Sequence, residues 1–115
     1  MDEIPFEQSL EVIDNLIIHN PDEAVSYLDK LTVELADRFA NFDTLYLGEQ
    51  LEALYSASGI GGRYLVLDEG KKAKILLRNA YNVAIKQKAI LQIPPQINII
   101  NELHKYYSYS LSYFD

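Results

Sequence analysis

The sequence predicts an all-α fold, a compact antiparallel bundle of about five helices with one Gly-rich irregular loop at 59–70. Three observations carry that expectation. Every long apolar segment repeats with helical phase. Helix start and stop signals bracket nearly all of these segments. With 115 residues, 49% hydrophobic and 23% charged, the chain has the composition of an ordinary globular protein. One domain over 1–115 is therefore expected, able to bury roughly 65% of its unfolded surface.

The first helix is expected from Pro5 to about His19. Phe6, Leu10, Ile13, Leu16 and Ile17 recur at helical spacing, with Glu7, Glu11 and Asp14 on the other side. Pro5 suits a first helical turn. Asn20-Pro21-Asp22-Glu23 starts the second helix: Asn20 can cap, Pro21 fits the first turn, and two carboxylates complement the dipole. Its apolar face, Ala24, Leu28, Leu31, Leu35, Phe39 and Phe42, stays in phase from 21 to about 42. With Asn20 as sole connector, the two segments make a tight helical hairpin.

A third helix is expected after Phe42, capped by Asp43 or Thr44. It would carry Leu47, Leu51, Leu54 and Tyr55 and end at Gly59 in the manner of a left-handed C-terminal glycine. The loop at 59–70 follows, with glycines at 59, 61 and 62. Within it, Tyr64-Leu65-Val66-Leu67 is compatible with a short strand, a 3₁₀ turn or a plug over the core. A single strand has no evident partner, which favours the plug. The fourth helix is expected from Lys71 to Leu91, with Ala73, Leu76, Leu77, Ala80, Val83, Ala84 and Leu91 inward. Pro94 and Pro95 stop it and open a fifth helix from 95 to 114. That helix has an inward stripe of Ile100, Leu103, Tyr107, Leu111 and Phe114. A second stripe holds Glu102, Tyr106, Tyr109 and Tyr113.

Charge is sorted along the chain. Residues 1–58 carry thirteen of the seventeen carboxylates against Lys30 and Arg38, a net of −11. Residues 59–93 carry a net of +5, and the overall charge is −7. Sorted charge makes an oriented field suited to docking one face on a partner or one subunit on another. An overall negative charge weighs against direct nucleic-acid binding, because phosphates repel it. The absence of cysteine excludes disulfides, thiolate metal sites and thiol nucleophiles. The opening Met1-Asp2-Glu3 is acidic where a signal peptide is basic, and no apolar run approaches the ~20 residues of a membrane span. A cytoplasmic location is expected, the host cytoplasm if the chain is virus-encoded, with no membrane contact.

Four features are candidates for function. Tyr106, Tyr109 and Tyr113 form a stripe that a partner would cover, since tyrosine brings large area and a hydroxyl at low entropic cost. The alternative for these rings is an outer layer of core. Gly61, Gly62 and Arg63 form a possible contact tip on the loop. No phosphate cradle follows from them. Gly70-Lys71-Lys72 resembles the end of a P-loop, but that motif requires glycine at 65 and Ser or Thr at 72, where the chain has Leu65 and Lys72. Lys74 and Arg78 lie with Lys71 and Lys86 on a basic ridge. That ridge is either solvated, or paired with the acidic half of the same or a second chain, or directed at phosphates. Finally, Glu11/Asp14 and Glu49/Glu52 are carboxylate pairs of the kind that holds magnesium in helical pyrophosphatases, but they project away from the apolar faces. His19 and His104, without cysteine, make a poor metal set. No catalytic residue, metal ligand or cofactor is assigned, and no motif is specific enough to name a family.

The expectation is thus a small acidic, non-enzymatic protein-interaction module: an adaptor, inhibitor or assembly protein, possibly phage- or plasmid-encoded. It would act through its Tyr-rich last helix and glycine loop on a protein partner, and would be a homodimer. Two alternatives come from other classes: an acidic nucleic-acid mimic that blocks a DNA- or RNA-binding protein, and a metal-dependent nucleotide-binding helical enzyme.

Overall fold

A computed structural model describes residues 6–86 and the positions Asn101, His104, Lys105 and Ser108. Four helices follow one another: α1 (Phe6–His19), α2 (Pro21–Ala40), α3 (Leu47–Val66) and α4 (Gly70–Lys86). A 3₁₀ turn, Phe42–Thr44, joins α2 to α3. Among the described residues there is no strand.

The hairpin forms as its sequence dictates. Asn20 Oδ1 accepts the Glu23 N–H at 3.3 Å, and Asn20 Nδ2 donates to Glu23 Oε2 at 3.1 Å. These bonds satisfy a donor that a helix start leaves orphaned. Behind that cap, Ile13 of α1 and Ala24, Leu28, Leu35 and Phe39 of α2 are buried. Phe42 is buried too, but from the 3₁₀ turn, because α2 ends two residues earlier than its apolar phase suggests. Asn41 ends it: its side chain donates to the Asp37 carbonyl at 3.1 Å. Phe39 and Phe42 still pack ring to ring, 6.2 Å between centroids. Gln50 Nε2, itself buried, donates to the Phe42 carbonyl at 2.9 Å and fixes the turn onto α3.

Helix α3 departs most from expectation. Asp43 and Thr44 lie in the 3₁₀ turn and do not cap it. Tyr46 is the N-cap residue, and its N–H donates to Glu49 Oε1 at 3.1 Å. Leu47 and Tyr55, expected inward, are exposed; the buried side runs through Ala53, Leu54, Ala57, Ile60, Gly61 and Tyr64. The irregular loop expected over 59–70 is not there. Residues 59–66 continue α3, and only 67–69 form a turn. Gly59, Gly61 and Gly62 are therefore helical residues, and no described glycine has positive φ.

Two local facts explain the difference. A Cβ on Gly61 would lie 2.6 Å from Leu77 Cδ2 and 2.7 Å from Leu77 Cγ, so the glycine is where α3 and α4 come closest. The stop signal is also not a glycine. Asp68 takes the left-handed conformation, φ 62°, which aspartate tolerates better than most residues. Around it the Glu69 N–H donates to the Tyr64 carbonyl at 2.8 Å and the Asp68 N–H to the Leu65 carbonyl at 3.2 Å. This is a Schellman ending with aspartate where glycine is usual.

Helix α3 packs against each of the other three helices. Thr32 meets Tyr64 and Phe42 meets Gln50, so α2 and α3 run antiparallel. Helix α4 buries Ala73, Leu76, Leu77, Ala80 and Ala84, the face expected of it, with Val83 partly buried. The end of that helix expected at Leu91, and the fifth helix over 95–114, fall outside the described residues. The exceptions are Asn101, His104, Lys105 and Ser108, all helical. The His104 ring lies against Tyr81 of α4, 5.7 Å between centroids. No helix of the described residues is long and apolar enough to cross a membrane.

Candidate functional site

The sorted charge of the sequence becomes contacts between distant helices. Arg63 of α3 holds Asp14 of α1 through two parallel bonds, Nε to Oδ1 at 2.9 Å and Nη2 to Oδ2 at 3.0 Å. Its third nitrogen donates to the Gly59 carbonyl at 3.0 Å. Planar forks of this kind are the geometrically specific class of ion pair. On the other side of α3, Lys72 Nζ lies 2.9 and 3.1 Å from the two oxygens of Asp29. Asp29 Oδ1 also accepts the Tyr64 hydroxyl at 2.7 Å. One carboxylate on α2 thereby joins α3 and α4.

Among the described residues Tyr64 is the largest fully buried side chain. Burial, before anything else, holds its phenol well above the ordinary range, and the Asp29 carboxylate adds to the rise while Thr32 opposes it. The Thr32 hydroxyl lies 2.8 Å from the Leu28 carbonyl and 3.0 Å from Tyr64 Oη, one proton between two acceptors. A neutral, enclosed phenol that donates to a carboxylate is a tie between helices, and it presents no proton to an outside ligand. The Tyr64-to-Leu67 plug expected from sequence is thus half right: Tyr64 does fill the core, from a helix.

The glycine loop's contact residues lie elsewhere than at a tip. Gly61 is buried against Leu77, Gly62 is half-buried, and Arg63 is engaged by Asp14. The carboxylate pairs are likewise occupied or separated. Asp14 holds Arg63, Glu49 closes the start of α3, and Glu52 lies 3.8 Å from Arg38. Among the described residues no group of three or more His, Asp or Glu side chains could hold a metal. His19 is exposed at the end of α1. Tyr106, Tyr109 and Tyr113 lie outside the described residues.

Lys74 and Arg78 are where the helical phase put them. The side of α4 turned from the core presents Lys71, Arg78 and Lys86, all exposed, with Lys74 half-buried at its edge. Between them stand Ile75 and Ile85, 62% and 43% exposed. The ridge expected from sequence is charge alone; the structure adds an apolar component. The signal was present, since both isoleucines fall outside the Ala73, Leu76, Leu77, Ala80, Ala84 stripe. The outward side of α2 is the acidic counterpart. Asp22, Glu23, Glu34 and Asp37 are exposed around Val33, which is itself 71% exposed. An open groove of about 440 Å³ lies where the turn meets the end of α4, walled by Phe39, Phe42 and Val83 with Asp43 and Lys86 at its rim.

The class these features define is an all-α chain with two outward helix faces of opposite charge, each with exposed aliphatic residues. Neither a protein-family model, nor a curated protein, nor a solved structure matches the chain.

Proposed function

We propose that the chain is a small acidic, non-enzymatic protein-interaction module, an adaptor, inhibitor or assembly protein that works in the cytoplasm and self-associates as a dimer. The observation that carries this reading is the outward face of α4, where Ile75 and Ile85 stand exposed among Lys71, Arg78 and Lys86. Apolar side chains with a charged rim have the make-up of a docking surface. Scattered single aliphatics are normal on any protein; two on one helix face, a few turns apart, form a stripe. The Tyr106, Tyr109 and Tyr113 stripe adds a second contact surface to the proposal, on sequence grounds.

The nucleic-acid-mimic reading draws on α2, whose outward face carries four carboxylates. It is the weaker reading, because Lys30 and Val33 interrupt the acidic row and the basic face of α4 belongs to the same small molecule. The metal-dependent enzyme reading loses its main support, since Asp14 and Glu52 lie against arginines and Glu49 against a backbone N–H. Phage or plasmid origin follows from size and charge alone.

The test is a variant with Ile75→Ser and Arg78→Glu. Neither side chain is buried, so helicity should stay as in the parent chain. Association, read by sedimentation for self-association and by co-purification from the native host for other partners, should weaken by more than ~1 kcal/mol. Unchanged association on both readouts sinks the proposal.

A further inference from the structure

Resting on that reading, we infer that the partner of the α4 face is the α2 face of a second copy of this chain. Three observations on the same molecule support it. The first is charge. The exposed cations of α4 run from Lys71 to Lys86, and the exposed acids of α2 run from Asp22 to Asp37.

The second is direction. Asp29 sits beside Lys72, and Phe39 to Thr44 share a groove with Val83 and Lys86. The chain therefore runs the same way in α2 and α4. A two-fold axis along the helices lays α4 of each copy on α2 of the other, parallel, and makes the contact twice, as an isologous dimer requires. A rotation about that axis keeps every residue at its own level, which the Asp29–Lys72 contact sets, so Arg78 faces Glu34 of the partner subunit and Asp37 of the partner subunit. The third is the apolar content. Val33 falls within one helical turn of the level of Ile75, so exposed aliphatics of the two faces come together beside the charged residues.

A copy of the chain also answers a problem of net charge. A basic face on a molecule of charge −7 is attracted to acidic surfaces, and the acidic surface certain to be present is its own α2. Opposed charges then set register and orientation more than affinity.

Sedimentation velocity on the full chain tests this, with circular dichroism as the check on folding. The parent chain should sediment as two chains at low salt. Its dissociation constant should rise on the order of tenfold or more in molar salt, where the screening length falls to about 3 Å. Two charge-reversed variants, Arg78→Glu and Glu34→Lys/Asp37→Lys, should each be monomeric where the parent is dimeric. Mixed in equal amounts they should recover the dimer, because each supplies the charge the other lost. A parent chain that is monomeric at the highest concentration reached overturns the inference. So does a dimer indifferent to salt and to both reversals, or a mixture that stays monomeric. If the monomeric chain still retains a different protein through Ile75 and Arg78, the interaction-module reading stands and only the second copy is ruled out.

Discussion

Helices α2 and α3 have the same length, twenty residues each, and both lie in the core, yet they bury different mixtures of side chain. Helix α2 fills space with Leu28, Leu35 and Phe39. Helix α3 buries Ala53, Ser56, Ala57, Ser58 and Gly61 among its larger residues Leu54, Ile60 and Tyr64. Between its larger residues α3 gives room at Gly61, and α4 fills it with Leu77. Helix α2 also touches all three of the other helices, so what sets α3 apart is this close crossing with α4. Polar ties hold both: Arg63 joins α3 to α1, and Asp29 joins α2 to Tyr64 of α3 and Lys72 of α4.

The largest effects should come from the bulky side of this contrast. Leu28→Ala and Phe39→Ala each delete a buried side chain and leave a cavity, at a loss of roughly 2–5 kcal/mol. That is a large share of a domain's total of about 5–15 kcal/mol. Urea denaturation measures it. A loss below about 0.5 kcal/mol for either would show that this face of α2 is not core, and the contrast with α3 would fail.

The small side of the contrast should be sensitive to addition instead of removal. Gly61→Ala places a methyl carbon 2.6 Å from Leu77 Cδ2, and the nearby Cγ at 2.7 Å means that turning the end of the leucine cannot make room. Overpacking costs about 1–3 kcal/mol. Alanine returns about 1 kcal/mol of helix propensity. A net loss of about 1 kcal/mol is expected, with the thermal midpoint falling. A gain in stability would mean that α3 and α4 have slack between them and that glycine is not needed at their crossing.

The same contrast marks what the sequence disclosed. The hairpin was legible because Asn20 and Pro21 are local signals and large apolar residues keep phase. Helix α3 was misread because its glycines imitate a loop, while the reason for Gly61 lies in α4, at Leu77, sixteen residues further along. Its true end was hidden because Asp68 does what a glycine search expects glycine to do. The basic ridge of α4 was legible from phase, so Lys74 and Arg78 were placed. That Arg63 belongs to Asp14 was not, since partners 49 residues apart are joined only by the fold. Ile75 and Ile85 were overlooked for a different reason: a search for the buried face discards the apolar residues that miss it.

The smallest effect should come from Gly48 of α3, which has no neighbour to accommodate. Gly48 lies in the first turn of the helix, exposed, and a Cβ there would meet nothing within 4 Å. Its backbone has ordinary negative φ, so alanine fits without strain. The substitution narrows the unfolded ensemble and leaves native contacts untouched, which stabilises by about 0.4–1 kcal/mol where the conformation is compatible. The lower end is expected here, because a first-turn position has fewer helical bonds to gain. Gly48→Ala should therefore raise the denaturation midpoint slightly, while Gly61→Ala lowers it, in the same helix and by the same chemical change. Opposite signs would establish that packing, and not helix propensity, placed glycine at 61. If both variants gained stability, both glycines would be incidental. If both lost it, Gly48 would have a contact or backbone requirement that the helix start does not display.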